Sequence, residues 1–312
     1  MTGQPAKARF PQLDGLRGVT ILMVLAWHYF YSHINFDEPL PLWVSVLAKT
    51  ISLFWSGVDL FFVLSGFLIT GILLDELKAK NLLSVFYLRR AARILPLYFL
   101  VLALAAICYA LVGQYPRFEP LFVKLPPAWT FLTFTQNIAM AVQGGFPGRF
   151  LGMTWSLAVE EQFYLVWPWV VLFLARRKGW LLTVSLLLCL LAPCLRLLVA
   201  PFTAFVNTPF RMDSLLFGAV AAILFREART VDFLRARQWL FHLFFALFLL
   251  LVAWLRYLKL AMDVWNHFMF GVLFCSVVLY ILLFDNGLLR RWLSVGRLSW
   301  IGSVSYAVYM FH

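Results

Sequence analysis

Charge is what this sequence has least of. Asp, Glu, Lys and Arg make up 13% of its 312 residues, against 63% hydrophobic ones. A soluble domain of this length cannot bury so much apolar surface, because soluble chains are nearer half apolar. Acidic residues are the scarcer sign, 14 beside 26 basic ones, for a net charge of +12. Lys and Arg gathered in cytoplasmic loops of a membrane protein explain that excess without a nucleic-acid partner, and none is expected. There are only four cysteines, Cys108, Cys189, Cys194 and Cys275, all in apolar runs. They lack metal-ligand spacing, so neither a disulfide framework nor a bound metal is expected. Residues 1–12 are polar and offer no small-residue cleavage site, so the first apolar run is expected to stay in place.

What is there is a series of apolar runs, near 17–33, 51–74, 94–112, 157–175, 180–199, 211–225, 238–257, 266–284 and 298–312. Runs of about 15–25 residues, repeated, read as an all-α polytopic membrane protein. Aromatic residues at 18%, including 13 Trp, suit interfacial belts. The less apolar stretch 128–142 reads as a piece that dips into the membrane or lies along it, rather than a crossing. With the N-terminus cytoplasmic, 18 of the 26 basic residues fall inside: Lys7, Arg9, Arg17, Lys78, Lys80, Arg89, Arg90, Arg93, Arg176, Arg177, Lys178, Arg226, Arg229, Arg235, Arg237, Arg290, Arg291 and Arg297. The run from Leu298 to His312 falls short of the ~20 residues a crossing needs, which reads as a membrane domain, 1–312, that is C-terminally incomplete.

Against this background a few ionisable groups stand out. Arg17 and His28 are eleven residues apart, about 1100° of helix rotation and roughly 16 Å of rise, so they share one stripe. Asp59 and Glu160 lie, like His28, roughly 12–15 Å below the outer boundary when counted from Lys49, Gly152 and Asp37. Arg211 and Asp213 are shallower on the same side. An intramembrane charge costs roughly 2.5–3.5 kcal/mol on permissive insertion scales and should face a partner and a cavity. Three at one depth suggest one site. Ser156, Glu160, Tyr164 and Trp167 form a polar-aromatic stripe at helical spacing, with Glu161 rotated away from it. The blander readings are a His bonded to a neighbouring helix, Asp59 as a helix N-terminal group, and Arg211–Asp213 as an anchoring ion pair.

On the cytoplasmic side, SVFYLRRAARILPLY (84–98) sets Arg90 and Arg93 on one helix face, near Arg89. Positive-inside bias alone predicts arginines there, but guanidinium groups also grip phosphates bidentately. Pro96 is expected to interrupt the helix and open a cleft.

Taken in order, LDGLRG through His28, VDLFFVLSGFLI, FYLRRAARILPLY, TWSLAVEEQFYLVWP, RMDSLLFG and VSYAVYMFH resemble the acyltransferase-3 family of integral membrane acyltransferases, which includes O-antigen and other polysaccharide O-acetyltransferases. The resemblance covers nearly the whole chain. It implies a bundle of about ten transmembrane helices in the bacterial cytoplasmic (inner) membrane. It also implies an acyl-CoA co-substrate (acetyl-CoA by preference) on the cytoplasmic side, no permanently bound cofactor, and an extracytoplasmic saccharide or glycolipid acceptor. Family function carries onto His28 as catalytic imidazole, Arg17 as its partner, Glu160 as the motif acid, Arg90 and Arg93 as the arginine motif, and Ser305, Tyr306, Tyr309 and His312 as the C-terminal pattern.

Residues and resemblance meet in one expected mechanism. Arg17, Arg90 and Arg93 hold the donor's phosphates, and neutral His28 takes the acceptor hydroxyl's proton. Glu160, or less favoured Asp59, holds the imidazole tautomer. Trp155, Ser156 or Tyr164 donates to the oxyanion, with Arg211, Asp213, Tyr306 and His312 completing the substrate pocket. Direct transfer and an acyl-enzyme both remain open. The rival classes are a proton-coupled secondary transporter using His28, Asp59 and Glu160 as a relay, and a non-catalytic partner that keeps the fold. No second copy of GLRG…H or TWSLAVEEQFY is found, which weighs against a transporter built from repeats.

Overall fold

In the computed structural model, residues 10–34, 40–113, 115–148, 150–177, 179–258, 264–284 and 288–312 are described. Lys7, Arg9, Asp37 and Lys178 of the charge and depth readings lie outside them. The described residues form helices and contain no strand. In chain order the helices are α1 (Pro11–Tyr29), α2 (Leu42–Ile51), α3 (Gly57–Asp75), α4 (Leu82–Val112), α5 (Ala128–Leu132), α6 (Gln136–Gln143), α7 (Thr154–Leu174) and α8 (Trp180–Arg196). They continue with α9 (Pro201–Val206), α10 (Thr208–Leu224), α11 (Ala228–Arg235), α12 (Gln238–Tyr257), α13 (Asn266–Leu283), α14 (Leu288–Leu293), α15 (Gly296–Ser303) and α16 (Ser305–Phe311).

Among the described residues, five stretches are long and apolar enough to cross a membrane: Leu42–Asp75, Leu82–Val112, Thr154–Leu174, Gln238–Leu255 and Asn266–Leu283. The segment through α10 becomes a sixth if it is counted with α11, which bends away from it by 92°. The chain is thus an all-α, multi-pass membrane protein, with fewer full-length spans than the nine runs suggested. The run 180–199 ends as a 17-residue helix, and 298–312 breaks at Val304 into two short ones. Long helices face outward with apolar side chains such as Leu100, Phe173, Leu249 and Trp254 exposed, as lipid requires.

At the centre α3 lies against α10 with almost no side chain between them. A Cβ on Gly66 would stand 1.8 Å from the Leu215 carbonyl oxygen, and one on Gly218 would stand 2.0 Å from that of Val63. Small residues let membrane helices approach this closely, where dispersion rather than hydrophobic exclusion holds them. Gly302 of α15 does the same against Asp14 of α1, 1.7 Å from its carbonyl oxygen. Gly218→Val is expected to destabilise the detergent-solubilised protein by about 1–3 kcal/mol, the usual cost of overpacking. An unchanged thermal midpoint would contradict that packing.

One local expectation is corrected. Pro96 sits inside an uninterrupted 31-residue α4, because membrane helices tolerate proline where neighbours satisfy the freed backbone. Arg89, Arg90 and Arg93 lie within this same helix, as the shared helix face of Arg90 and Arg93 requires. The stretch 128–142 is two short helices joined through Phe134 at φ 54°. Its irregular backbone is tied down by side chains: Gln162 donates to Phe134 O (2.7 Å) and Asn137 Oδ1 (2.9 Å), and Tyr98 donates to Phe131 O (2.8 Å). Non-helical backbone survives in a membrane protein where protein groups satisfy it.

Candidate active site

Five helices turn stripes of side chains into one cavity. On α3 the stripe is Val58, Phe61, Phe62 and Ser65, and on α7 it is Ser156, Leu157, Glu160 and Tyr164. Both follow the three-to-four-residue spacing that keeps side chains on one helix face. Arg17 enters from α1, Arg90 and Arg93 from α4, and Ser305, Tyr306 and Tyr309 from α16. About 700 Å³ of empty space, including the open mouth, lies between them. A second groove of about 1060 Å³, walled by Glu76, Asn81 and Arg89, shares Arg90 and Arg93 with it.

Polar groups in the cavity are positioned by bonds between helices. Ser65 Oγ donates to Glu160 Oε1 at 2.7 Å. Ser156 and Tyr309 hydroxyls share a 2.6 Å hydrogen bond, and Tyr306 donates to Ile94 O at 3.1 Å. Arg90 lies over the Tyr164 ring, 5.6 Å from its centroid. Arg17 keeps a long 3.5 Å contact to Asp14. Three guanidinium groups against one lining carboxylate leave the cavity net positive, a setting for a phosphorylated ligand.

His28 stands two ring contacts from this cavity. The Tyr309 ring lies 5.1 Å from the His312 ring, which meets His28 edge-on at 4.8 Å. His28 Nδ1 lies 2.9 Å from Val24 O. A carbonyl only accepts, so Nδ1 carries the proton and neutral His28 keeps its Nε2 lone pair. His312 Nδ1 is held likewise at 2.6 Å from Tyr309 O. This corrects the expected triad: Val24, not Glu160, sets the tautomer of His28, and Glu160 is bonded to Ser65.

Asp59 does not join His28 and Glu160. It is wholly buried in a separate network, accepting from Arg211 Nη2 (2.8 Å) and Ser214 Oγ (2.7 Å). Arg211 Nη1 also donates to His267 Nε2 at 3.0 Å, which leaves His267 Nδ1 to donate to Asp59 Oδ2 at 3.1 Å. Arg211 and Asp213 do not pair with each other, since Asp213 takes Arg196 Nη2 at 2.8 Å. Trp155 turns to this network too, its ring 5.3 Å from the Arg211 guanidinium carbon. Of the expected site residues, Arg17, Arg90, Arg93, Ser156, Glu160, Tyr164 and Tyr306 line the cavity. His28 and His312 border it through Tyr309, while Asp59, Trp155, Arg211 and Asp213 form the neighbouring network.

Sequence reading missed Ser65, Arg196, Ser214 and His267. Arg196 carried a signal, a cation closing the apolar run LLLCLLAPCLR. Ser65 completes the stripe begun by Val58 and Phe61. Nothing near Ser214 or His267 announces their partner Asp59, 155 and 208 residues away.

The comparisons fit this geometry. The family described as "Acyltransferase domain" (Acyl_transf_3) matches residues 10–312. YrhL of Bacillus subtilis is 28% identical over 325 residues, covering 97% of this chain and 48% of that protein. The peptidoglycan O-acetyltransferase OatA of Listeria monocytogenes is 27% identical over 339 residues, again 97% of this chain and 48% of the relative. The O-acetyltransferase OatA of Staphylococcus aureus is 31% identical over 174 residues, 54% of this chain and 25% of the relative. The chain spans about half the length of the first two relatives. No solved structure matches it. With a family match over nearly its whole length, the chain belongs to the acyltransferase-3 family of integral membrane proteins.

Proposed function

We propose that the chain is the membrane-embedded part of an O-acyltransferase. It moves an acyl group, acetyl by preference, from cytoplasmic acyl-CoA to a hydroxyl of an extracytoplasmic saccharide such as peptidoglycan. The observation that carries this is the junction of three arginines, Arg17, Arg90 and Arg93, in one cavity that Tyr309 and His312 link to His28. The N-terminus is then cytoplasmic, and the membrane is the bacterial inner membrane.

In this reading the adenine nucleotide lies along the groove walled by Asn81 and Arg89, with its phosphates at Arg90, Arg93 and Arg17. The pantetheine arm runs between Ser65, Glu160 and the Ser156–Tyr309 pair, whose polar groups suit its two amides. Glu160 shares this cavity with the arginines and is held there by the Ser65 hydroxyl. At the far end His28 Nε2 takes the proton of the acceptor hydroxyl as its oxygen bonds to the thioester carbonyl carbon. The carbon–sulfur bond breaks, and the imidazolium returns the proton to the departing thiolate.

The transporter reading loses support because Asp59, one of its three relay groups, is ion-paired to Arg211 and does not line the cavity. Proteoliposomes separate the two classes. Labelled acetyl-CoA supplied with chitopentaose should give acetylated saccharide, and an imposed pH gradient should not dissipate faster than in empty vesicles. Proton flux without acetyl transfer would overturn the proposal.

A further inference from the structure

The reading above uses the positive cavity for the donor and leaves a second, larger concavity without a role. It holds about 1190 Å³ of empty space, walled by the rings of Trp55 and Phe205 and the polar groups of Arg196, Asn266 and His267. Trp55 precedes the first residue of α3, whereas Arg226 bonds Asp75 at its last. Along 19 helical residues that is a separation of roughly 27 Å. This concavity and the basic ends of α3 and α10 therefore lie at opposite ends of the bundle.

Its floor is built. Arg196 donates Nε to Val264 O (2.7 Å), Nη1 to Phe210 O (2.6 Å) and Nη2 to Asp213 (2.8 Å). His267 is fixed between Asp59 and Arg211, and Trp55 is held edge-on against His267 at 5.2 Å and Phe270 at 5.3 Å. Burying such groups in a membrane protein is costly, and lipid gains nothing from them. Their charges cancel, Arg196 against Asp213 and Arg211 against Asp59, so the groove has no net pull on an anion. The arginine cavity is net positive. Aromatic rings beside the Asn266 amide and the Arg196 guanidinium suit an uncharged polyhydroxyl ligand, whose C–H faces pack on rings and whose hydroxyls hydrogen-bond.

The groove also abuts the reaction path. Phe205 lies 4.7 Å from Trp155, and Trp155 lies 6.2 Å from Phe62, a wall of the arginine cavity. We infer that this groove, at the end of α3 away from Arg226 and beside the arginine cavity, is the binding site of the neutral saccharide acceptor, with Trp55 as its stacking platform and Asn266 as a hydrogen-bonding group. The inference rests on the acyl-transfer reading for the name of its ligand, but its test does not need transfer.

Chitopentaose is titrated, without acyl-CoA, into the nanodisc-embedded wild type and into Trp55→Ala, Trp55→Phe and Asn266→Ala. Affinity should fall about tenfold or more in both alanine variants, a loss typical of a buried aromatic anchor. Trp55→Phe, which keeps a ring, should retain most of it. No binding by the wild type, or equal binding by the wild type and both alanine variants, overturns the groove assignment. Saccharide binding that depends on Trp55, in a protein that never transfers acetyl from acetyl-CoA, would sink the acyltransferase reading and leave the groove standing.

Discussion

His28→Ala is expected to lower acetyl transfer about a thousandfold, within the range general-base removal commonly gives, while acetyl-CoA binds as before. An alcohol is a poor nucleophile until its proton is taken, and His28 is prepared to take it. Val24 O holds the Nδ1 proton at 2.9 Å, so Nε2 is the basic nitrogen. The side chain is exposed at its end of α1, where an acceptor can reach it without crossing the arginine cavity. His28→Gln is an informative companion because it keeps a polar side chain but supplies no base. It should be as inactive as alanine. Transfer by both variants within about tenfold of wild type would remove His28 from the chemistry, since tenfold is only ~1.4 kcal/mol of barrier.

The second large effect is structural. Arg211→Met is expected to destabilise the protein by about 3–5 kcal/mol, the cost of stranding one partner of a buried ion pair. Asp59 and Arg211 are 0% and 1% exposed, and their contact is 2.8 Å. The guanidinium also packs against Phe62, Trp155 and Phe205 at 5.2–5.6 Å from the ring centroids. Methionine keeps some of that packing and leaves the Asp59 carboxylate without its main counter-charge. Pairing the change with Asp59→Asn removes the stranded charge and should recover part of the loss. Thermal unfolding in detergent measures both, and a single variant as stable as wild type would contradict the network.

These two residues also show what the sequence could and could not reveal. Counting from the ends of a span gives depth along a helix axis but not the direction a side chain takes around it. Asp59 and Glu160 share a depth, yet from Asp59 to Ser65 is six residues, about 600° of rotation, which leaves Asp59 ~120° off the cavity-facing stripe. Periodicity within one helix was more reliable. Ser156, Glu160 and Tyr164 line the cavity together, as do Arg90 and Arg93. Arg17 joins them from α1 although His28, on the same stripe, reaches only its border. Partners across long sequence separations, such as Ser65 with Glu160 or His267 with Asp59, leave no trace in local spacing. Nor does composition show that Gln162 ties down the break at Phe134, because an amide can serve many acceptors. Multi-pass helical character was plain from the apolar runs, whereas the broken ends of α10 and α15 were not.

The proposal depends most on the arginine cavity receiving the thioester donor. Calorimetric titration of acetyl-CoA into the nanodisc-embedded wild type, Arg90→Ala and Arg93→Ala tests it directly. Each charge-assisted phosphate contact is worth about 1.5–3 kcal/mol, so Kd should rise at least about tenfold in each variant. Acetyl-CoA binding with wild-type affinity in both would show that these guanidinium groups do not hold the donor.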